Sequence, residues 1–311
     1  MLVVVSILPV FLVSLFGFLT AKSGKLSRSD IQSLSKFTFS MAIPVMLFTK
    51  MSTLAVPDNI EWSLLLSYYL SVFIVFSLTA FIARYLFSDE CETQSVLGFS
   101  ATFSNAVVIG IPVIHYTLGD DAMLPLFMLI SVHALTIYLL GFFFAERGRF
   151  DRKKVLLSVV RIFSEILKNP ITLAIFSGLL VNVLPFSLPD LLSASLSLFS
   201  EAAIPLTLFV LGASISQFPL TFSSRVPLLL VVFKNLMLPL LVYLFSTYVF
   251  GLSETWTVTA TVMASMPIGV NAYIFSQRYQ RIMPEVATSI LFSTVFSILS
   301  VPLCLWLLTN Q

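Results

Sequence analysis

Ala264-Ser265-Met266-Pro267-Ile268-Gly269-Val270-Asn271-Ala272-Tyr273 places a proline, a glycine and an asparagine within five residues, inside an otherwise apolar span. A second stretch, Ser104-Asn105-Ala106-Val107-Val108-Ile109-Gly110-Ile111-Pro112, carries the same three residue types in the reverse order. Proline removes a backbone donor and glycine loosens a helix, so both spans are expected to be helices broken partway, at Gly110 and Pro112 in one and at Pro267 and Gly269 in the other. Freed backbone is tolerated in hydrocarbon only where protein or a water-filled cavity satisfies it. Matched broken helices in the two halves of a chain point to a transporter's binding site.

The surrounding composition fits that setting. Of 311 residues, 58% are hydrophobic and 10% charged, against about 25% charged in soluble domains. The net charge of +2 gives nucleic acid no electrostatic footprint. Cys91 and Cys304 are too far apart in the chain to suggest a disulfide framework, and with two histidines and no HExxH or CxxC pattern no metal or other cofactor is expected. This reads as an integral membrane protein.

Ten spans of about 20 apolar residues are expected to cross the bilayer: 2–21, 35–53, 62–87, 95–118, 122–145, 168–185, 195–217, 226–250, 255–277 and 286–309. The first lacks the basic n-region and small-residue cleavage site of a signal peptide, so it reads as a helix. Basic residues gather between spans one and two (Lys22, Lys25, Arg28, Lys36), five and six (Arg147, Arg149, Arg152, Lys153, Lys154, Arg161) and nine and ten (Arg278, Arg281). The alternate loops carry Asp58, Glu61, Asp120, Asp121, Asp190 and Glu254. The positive-inside rule then places both termini on the non-cytoplasmic side of a plasma (inner) membrane.

The basic connection 146–168 divides the chain into a first five-helix repeat, 1–150, and a second, 162–311. At a constant offset of 161 residues, Pro9, Leu12, Gly17 and Leu19 fall on Pro170, Leu173, Gly178 and Leu180. Ala42-Ile43-Pro44-Val45-Met46-Leu47-Phe48 falls on Ala203-Ile204-Pro205-Leu206-Thr207-Leu208-Phe209, with five identities in seven. Ser104 falls on Ser265. An odd helix count makes the second half enter the membrane the other way up, so the expected fold is all-α: ten transmembrane helices in two inverted five-helix repeats, with helices four and nine broken and crossing.

Several side chains are candidates for chemistry. Asn105 and Asn271 either tie off backbone freed by their own breaks or face one cavity together with the half-helix N-termini, whose free N–H groups suit a carboxylate. Their matched positions favour the second reading. Ser104, Pro112, Pro267 and Gly269 join the candidate substrate site. Lys234 in span eight is costly at that depth; it either neutralises an anionic substrate or pairs with Glu201 in span seven. Pro44 and Pro205, at matched positions, are read as a symmetric kink with a role in lining the site. His115 and His133 are read as satisfied polar contacts. No catalytic set is found among these residues.

Four stretches together resemble the auxin efflux carrier family in its short prokaryotic form: Lys168-Asn169-Pro170, Ile204-Pro205-Leu206 with Leu211-Gly212-Ala213-Ser214, Lys234 followed by Leu238-Pro239, and Met266 to Tyr273. Ser104-Asn105 to Gly110-Ile111-Pro112 is similar to the family's fourth-helix motif, with Val107 where a further glycine is common. The resemblance implies a scaffold of helices 1, 2, 6 and 7, a transport domain of helices 3–5 and 8–10, and an elevator motion of one against the other, often in a homodimer. It implies small organic anions as substrates, dicarboxylates or auxin-like acids among them. On this resemblance Asn105, Pro112, Pro267 and Asn271 match the crossover positions. The paired acidic residues of the plant carriers have no counterpart here, so ion coupling does not carry over.

The expected function is therefore secondary transport of a small carboxylate across a lipid bilayer by elevator-type alternating access. The alternative is a Na+- or H+-coupled symporter or exchanger of a related crossing-helix fold, for which only Glu201, Thr102, Ser104 and Ser265 offer oxygens. A membrane sensor or an intramembrane enzyme fits less well, because neither a signalling domain nor a nucleophile, base or metal set is recognised.

Overall fold

The computed structural model describes residues 2–54, 59–147, 160, 164, 168–184, 188–218 and 225–309. Among them the regular elements are helices and one isolated β-bridge. The helices are α1 (Leu2–Lys22), α2 (Arg28–Thr53), α3 (Ser63–Leu86), α4 (Cys91–Ser100), α5 (Ala106–Leu118), α6 (Asp120–Glu146), α7 (Pro170–Val183), α8 (Asp190–Ile215), α9 (Val226–Val249), α10 (Glu254–Ser265), α11 (Asn271–Tyr279) and α12 (Met283–Thr309). Six of these, α2, α3, α6, α8, α9 and α12, are long and apolar enough to cross a membrane. The spans expected at 95–118 and 255–277 are each split in two, as α4 with α5 and α10 with α11. The second break contains Pro267 and Gly269 as expected, but the first falls at 101–105 and not at Gly110 and Pro112, which lie inside α5 where a π turn absorbs the proline. Arg149, Arg152, Lys153, Lys154, Arg161 and Asp58 lie outside the described residues, and with them most of the basic connection 146–168.

Local sequence explains where helices start and how they are wound. At α2 the Ser27 hydroxyl accepts from Asp30 N while Asp30 accepts from Ser27 N, satisfying two donors at the helix start. At α7 the Asn169 side chain accepts from Ile171 N at 2.9 Å, and Pro170 takes the first helical position, where a missing N–H costs nothing. Three prolines inside long helices follow a widened turn of π geometry: Thr38–Ala42 before Pro44, Ala106–Gly110 before Pro112 and Phe233–Met237 before Pro239. In each case the carbonyl four residues before the proline, which the ring would strike, lies inside the widened turn. The π turn moves that carbonyl aside. Pro205 sits within α8 with no such turn, so Pro44 and Pro205 are not wound alike.

The helices pack as two groups. In one, α1 lies along α8 and α2 along both α7 and α8. In the other, α3 to α6 and α9 to α12 surround the two breaks, with α4 against α6, α9 against α12 and α10 against α12. Outer faces carry apolar side chains such as Leu191, Leu228 and Leu299, as lipid requires.

Glycines set the spacing in the first group. A Cβ on Gly17 would lie 2.0 Å from the Phe209 carbonyl oxygen, and one on Gly178 would lie 2.6 Å from that of Phe48. Phe48 and Phe209 are separated by the same 161 residues as Gly17 and Gly178, so one contact is the counterpart of the other. Gly212 is tighter still, with a Cβ 1.7 Å from the Ser14 carbonyl oxygen. Close backbone approach at small residues is how helices associate where no hydrophobic force drives them together.

Gly212→Ala should therefore push α8 off α1, costing about 1–3 kcal/mol as overpacking does elsewhere. Gly110→Ala, whose Cβ would meet nothing nearer than the Met266 side chain at 3.4 Å, is the control. Thermal unfolding in detergent should show a clear fall for the first and little change for the second.

Candidate functional site

The two breaks meet. Asn105 N donates to the Pro267 carbonyl at 2.8 Å and Gly269 N donates to the Phe103 carbonyl at 2.9 Å, which pairs Ser104 with Ile268 as a short antiparallel bridge. Backbone left open between α4 and α5 is thus completed by backbone left open at Pro267 and Gly269 between α10 and α11. Gly269 allows the approach, since a Cβ there would lie 2.8 Å from the Phe103 ring.

The bridged residues turn their own N–H groups outward, and each finds a side chain on a neighbouring helix. Ser104 N donates to His133 Nε2 at 3.1 Å from α6, and Ile268 N donates to Ser293 Oγ at 2.9 Å from α12. Ser293 in turn donates to Asn235 Oδ1 at 2.6 Å, and the Ser104 hydroxyl lies 3.2 Å from Tyr68 OH. Because Nε2 accepts, the imidazole of His133 is the neutral tautomer with its proton on Nδ1.

Lys234 is fully buried and its ammonium donates to the Ala264 carbonyl at 2.5 Å. That carbonyl lies at the C-terminal end of α10, where helix geometry leaves acceptors without partners and a partial negative charge. The pairing of Lys234 with Glu201 weighed from the sequence is not formed. Glu201 is exposed on α8, in the other group of helices, and the lysine is already held by a backbone carbonyl.

A cavity of about 610 Å³ opens beside the crossing. Ser104, Asn105, Gly269 and Asn271 line it, together with the starts of α5, α7 and α11 (Ala106 to Val108, Asn169 to Thr172, Val270 to Asn271). Each start adds the positive potential of a helix dipole, although at α7 Pro170 has no N–H and Ile171 N is capped by Asn169, and at α11 the N–H groups of Ala272, Tyr273 and Ile274 are taken by the Gly269 and Val270 carbonyls. His133 and Ser131 of α6, Ser214 of α8, and Ser35, Lys36 and Ser40 of α2 complete the polar wall. Among the described residues the lining contains one charged side chain, Lys36, and no aspartate or glutamate. Two residues of this wall hold a buried donor without a partner, Asn105 at Nδ2 and His133 at Nδ1, and neither atom has accessible surface. An unmet buried donor costs about 1–3 kcal/mol.

The remaining sequence candidates stand off the cavity. Gly110 and Pro112 are buried in the first turns of α5, behind its lining face, and Pro267 contributes its carbonyl to the bridge. Lys234 lies behind the second break. Pro44 and Pro205 do not line the cavity; Pro205 is exposed, roughly 140° round α8 from the lining residue Val210. Sequence reading had not singled out Lys36, Asn169, Ser131 or Ser214 as site residues. Asn169 alone carried a signal, as the polar cap before Pro170.

This architecture has relatives along its whole length. A family model described as "Membrane transport protein" matches residues 2–305. The chain belongs to that family of membrane transport proteins, which includes the auxin efflux carriers. A putative malonate transporter of Rhizobium meliloti (strain 1021) is 23% identical over 307 residues, covering 98% of this chain and 95% of that protein. An uncharacterized transporter of Methanocaldococcus jannaschii is 22% identical over 314 residues, covering 98% of each. Auxin efflux carrier component 8 of Arabidopsis thaliana is 21% identical over 350 residues, covering 95% of this chain and 94% of the plant protein. This member of the family is accordingly a multi-pass membrane transporter and not an enzyme.

Ser293 serves both the bridge and Asn235, so Ser293→Ala leaves Ile268 N without its acceptor. The expected loss is about 1–3 kcal/mol. Ser297→Ala removes a buried hydroxyl bonded only within its own helix, to Thr294 O at 2.7 Å, and should cost less. Melting temperatures of the two variants in the same detergent make the comparison.

Proposed function

We propose that this transporter carries a small organic anion, bound through its carboxylate in the cavity beside the crossing. One observation carries the reading: among the described residues the polar wall offers N–H and hydroxyl groups, three helix N-termini and a single lysine, with no carboxylate. Such a wall attracts an anion and gives a cation little to coordinate. Cation coupling is disfavoured on the same ground. The names of two relatives, a malonate transporter and an auxin efflux carrier, agree in chemistry, since both ligands are carboxylic acids.

The mechanism proposed is an elevator. The ten predicted spans form two inverted five-helix halves, 1–150 and 162–311, a reading supported by the paired Gly17–Phe209 and Gly178–Phe48 contacts. The group of α1, α2, α7 and α8 serves as scaffold, and the group carrying both breaks moves against it as the transport domain. The cavity lies between them, bounded by α2, α7 and α8 on one side and by the breaks with α6 on the other. Its open end is at Lys36 and Asn169, beside the loops that the charge distribution places in the cytoplasm of an inner membrane, so this conformation is inward-facing. The scaffold is also the surface proposed for homodimerisation.

Asn105, Asn271, Ser104 and Gly269 are assigned to direct contact with substrate, Pro267 and Lys234 to holding the second break, and Gly110 and Pro112 to the winding of α5 behind the site. Uptake of labelled organic acids by proteoliposomes tests the assignment. The Asn105→Ala, Asn271→Ala double variant should lower transport of the best substrate at least about tenfold, the effect of losing a hydrogen bond to a charged group. Unchanged transport would remove both residues from the site.

A further inference from the structure

α2 borders two cavities. Lys36, towards its start, lines the one already described, and Lys50, in its last turn, lines a second of about 550 Å³. Residues 36 and 50 are 14 apart, about 21 Å along a helix axis. The second cavity has the end of α2 on one side and the starts of α6 and α10 on the other, with Asp120, Leu124 and Trp256 in its wall. It lies between the same two groups of helices, at the end of their interface away from Lys36.

An ion pair crosses it. Lys50 Nζ lies 3.4 Å from Asp120 Oδ1 at the start of α6. Between described residues the other ion pairs, Arg84–Asp89, His115–Asp120 and Arg281–Glu90, stay within the group that carries the breaks. The same Asp120 oxygen has a second neighbour in its own group. His115 Nδ1, in the last turn of α5, is 3.4 Å away and has no hydrogen-bond partner. Gly119, at φ 76°, makes the turn that sets Asp120 beside that last turn.

Resting on the elevator reading, we propose that Lys50 and Asp120 form a latch that holds the far end of the interface shut in this conformation, with His115 as the partner Asp120 takes when the latch opens. A slide of one group past the other parts Lys50 from Asp120 but leaves His115 beside it, because α5 and α6 move together. The carboxylate exchanges one neighbour for another, which gives the contact two discrete arrangements, as a switch requires. A pair this exposed shifts an equilibrium by no more than about fivefold, enough to bias two conformations without freezing either.

The test reads both ends of the interface by the rate of maleimide alkylation, in the full chain in lipid nanodiscs carrying Cys91→Ser and Cys304→Ser. Leu124→Cys, buried in the wall of the second cavity, reports the far end, and Ser40→Cys, exposed in the wall of the first, reports the near end. Lys50→Gln should raise the rate at Leu124→Cys about two- to fivefold and lower that at Ser40→Cys by up to about twofold. In an Asp120→Asn background Lys50→Gln should change neither rate, since the lysine has no partner left to lose. His115→Phe should lower the Leu124→Cys rate, because the open state loses the group that receives Asp120. Unchanged rates in Lys50→Gln overturn the latch and leave the elevator standing, which does not need this pair. An effect of Lys50→Gln that persists in the Asp120→Asn background also overturns the latch. A His115→Phe variant that leaves or raises the Leu124→Cys rate overturns the exchange of partners. A rise at Leu124→Cys without a fall at Ser40→Cys overturns latch and elevator together, because the far end then opens without the near end closing.

Discussion

Backbone polarity in hydrocarbon is the constraint on which this molecule turns. Each broken helix releases N–H and carbonyl groups where no water is at hand, and an unmet group at that depth costs several kcal/mol. The bridge between Ser104 and Ile268 answers most of that demand with one pair of main-chain hydrogen bonds. What the bridge leaves over is met by side chains: His133 and Ser293 take the outward N–H groups, and Lys234 takes a carbonyl at the end of α10. Most intramembrane polar residues around the crossing therefore have a structural partner, and the few that keep a free donor stand out.

That division separates two kinds of polar residue that look alike in a sequence. Lys234 and Asn235 are consecutive and both buried, yet Lys234 is held by a carbonyl whereas Asn235 keeps an Nδ2 without a partner beside the Oδ1 that Ser293 takes. Asn105 Nδ2 and His133 Nδ1 are likewise buried donors without a partner. Because α5, α7 and α11 all begin at the cavity, their dipoles add positive potential there, and Lys36 is the one formal charge among its described lining residues. A site of this kind attracts an anion without first having to lose a counterion.

Much of this was legible from residue types alone. Proline and glycine act locally, so Pro267 and Gly269 marked the second break and Asn169-Pro170 the start of α7, whereas Gly110 and Pro112 pointed to the right span but not to its break at 101–105, because a π turn lets α5 run through the proline. The Gly17–Gly178 match was read only as part of the 161-residue offset, and that each glycine touches a phenylalanine backbone in the other half was not foreseen. The partners of Lys234 and His133 were hidden because they are a carbonyl and an amide, atoms every residue possesses. Glu201 was the nearest opposite charge in the sequence, but the lysine's need was met by a helix end. Pro44 and Pro205 shared a position in the repeat and yet differ in winding, since one relieves its clash with a π turn and the other does not. Lys36 was missed for a different reason. It sits among the basic residues that set orientation, and nothing in the sequence distinguishes a lysine at a cavity mouth from one in a loop.

The bridge also bears on how the protein is made. The partners of Asn105 N and the Phe103 carbonyl lie some 160 residues downstream, in the opposite half of the chain. During synthesis the first break enters the bilayer long before Pro267 and Gly269 leave the ribosome. Through that interval its released groups have only water or the insertion machinery to bond with, so the first half has no settled structure of its own. Such long-range closure makes late assembly slow and all-or-none. The crossing thus makes the two halves obligate folding partners, and closure of the bridge waits on the emergence of Pro267 and Gly269.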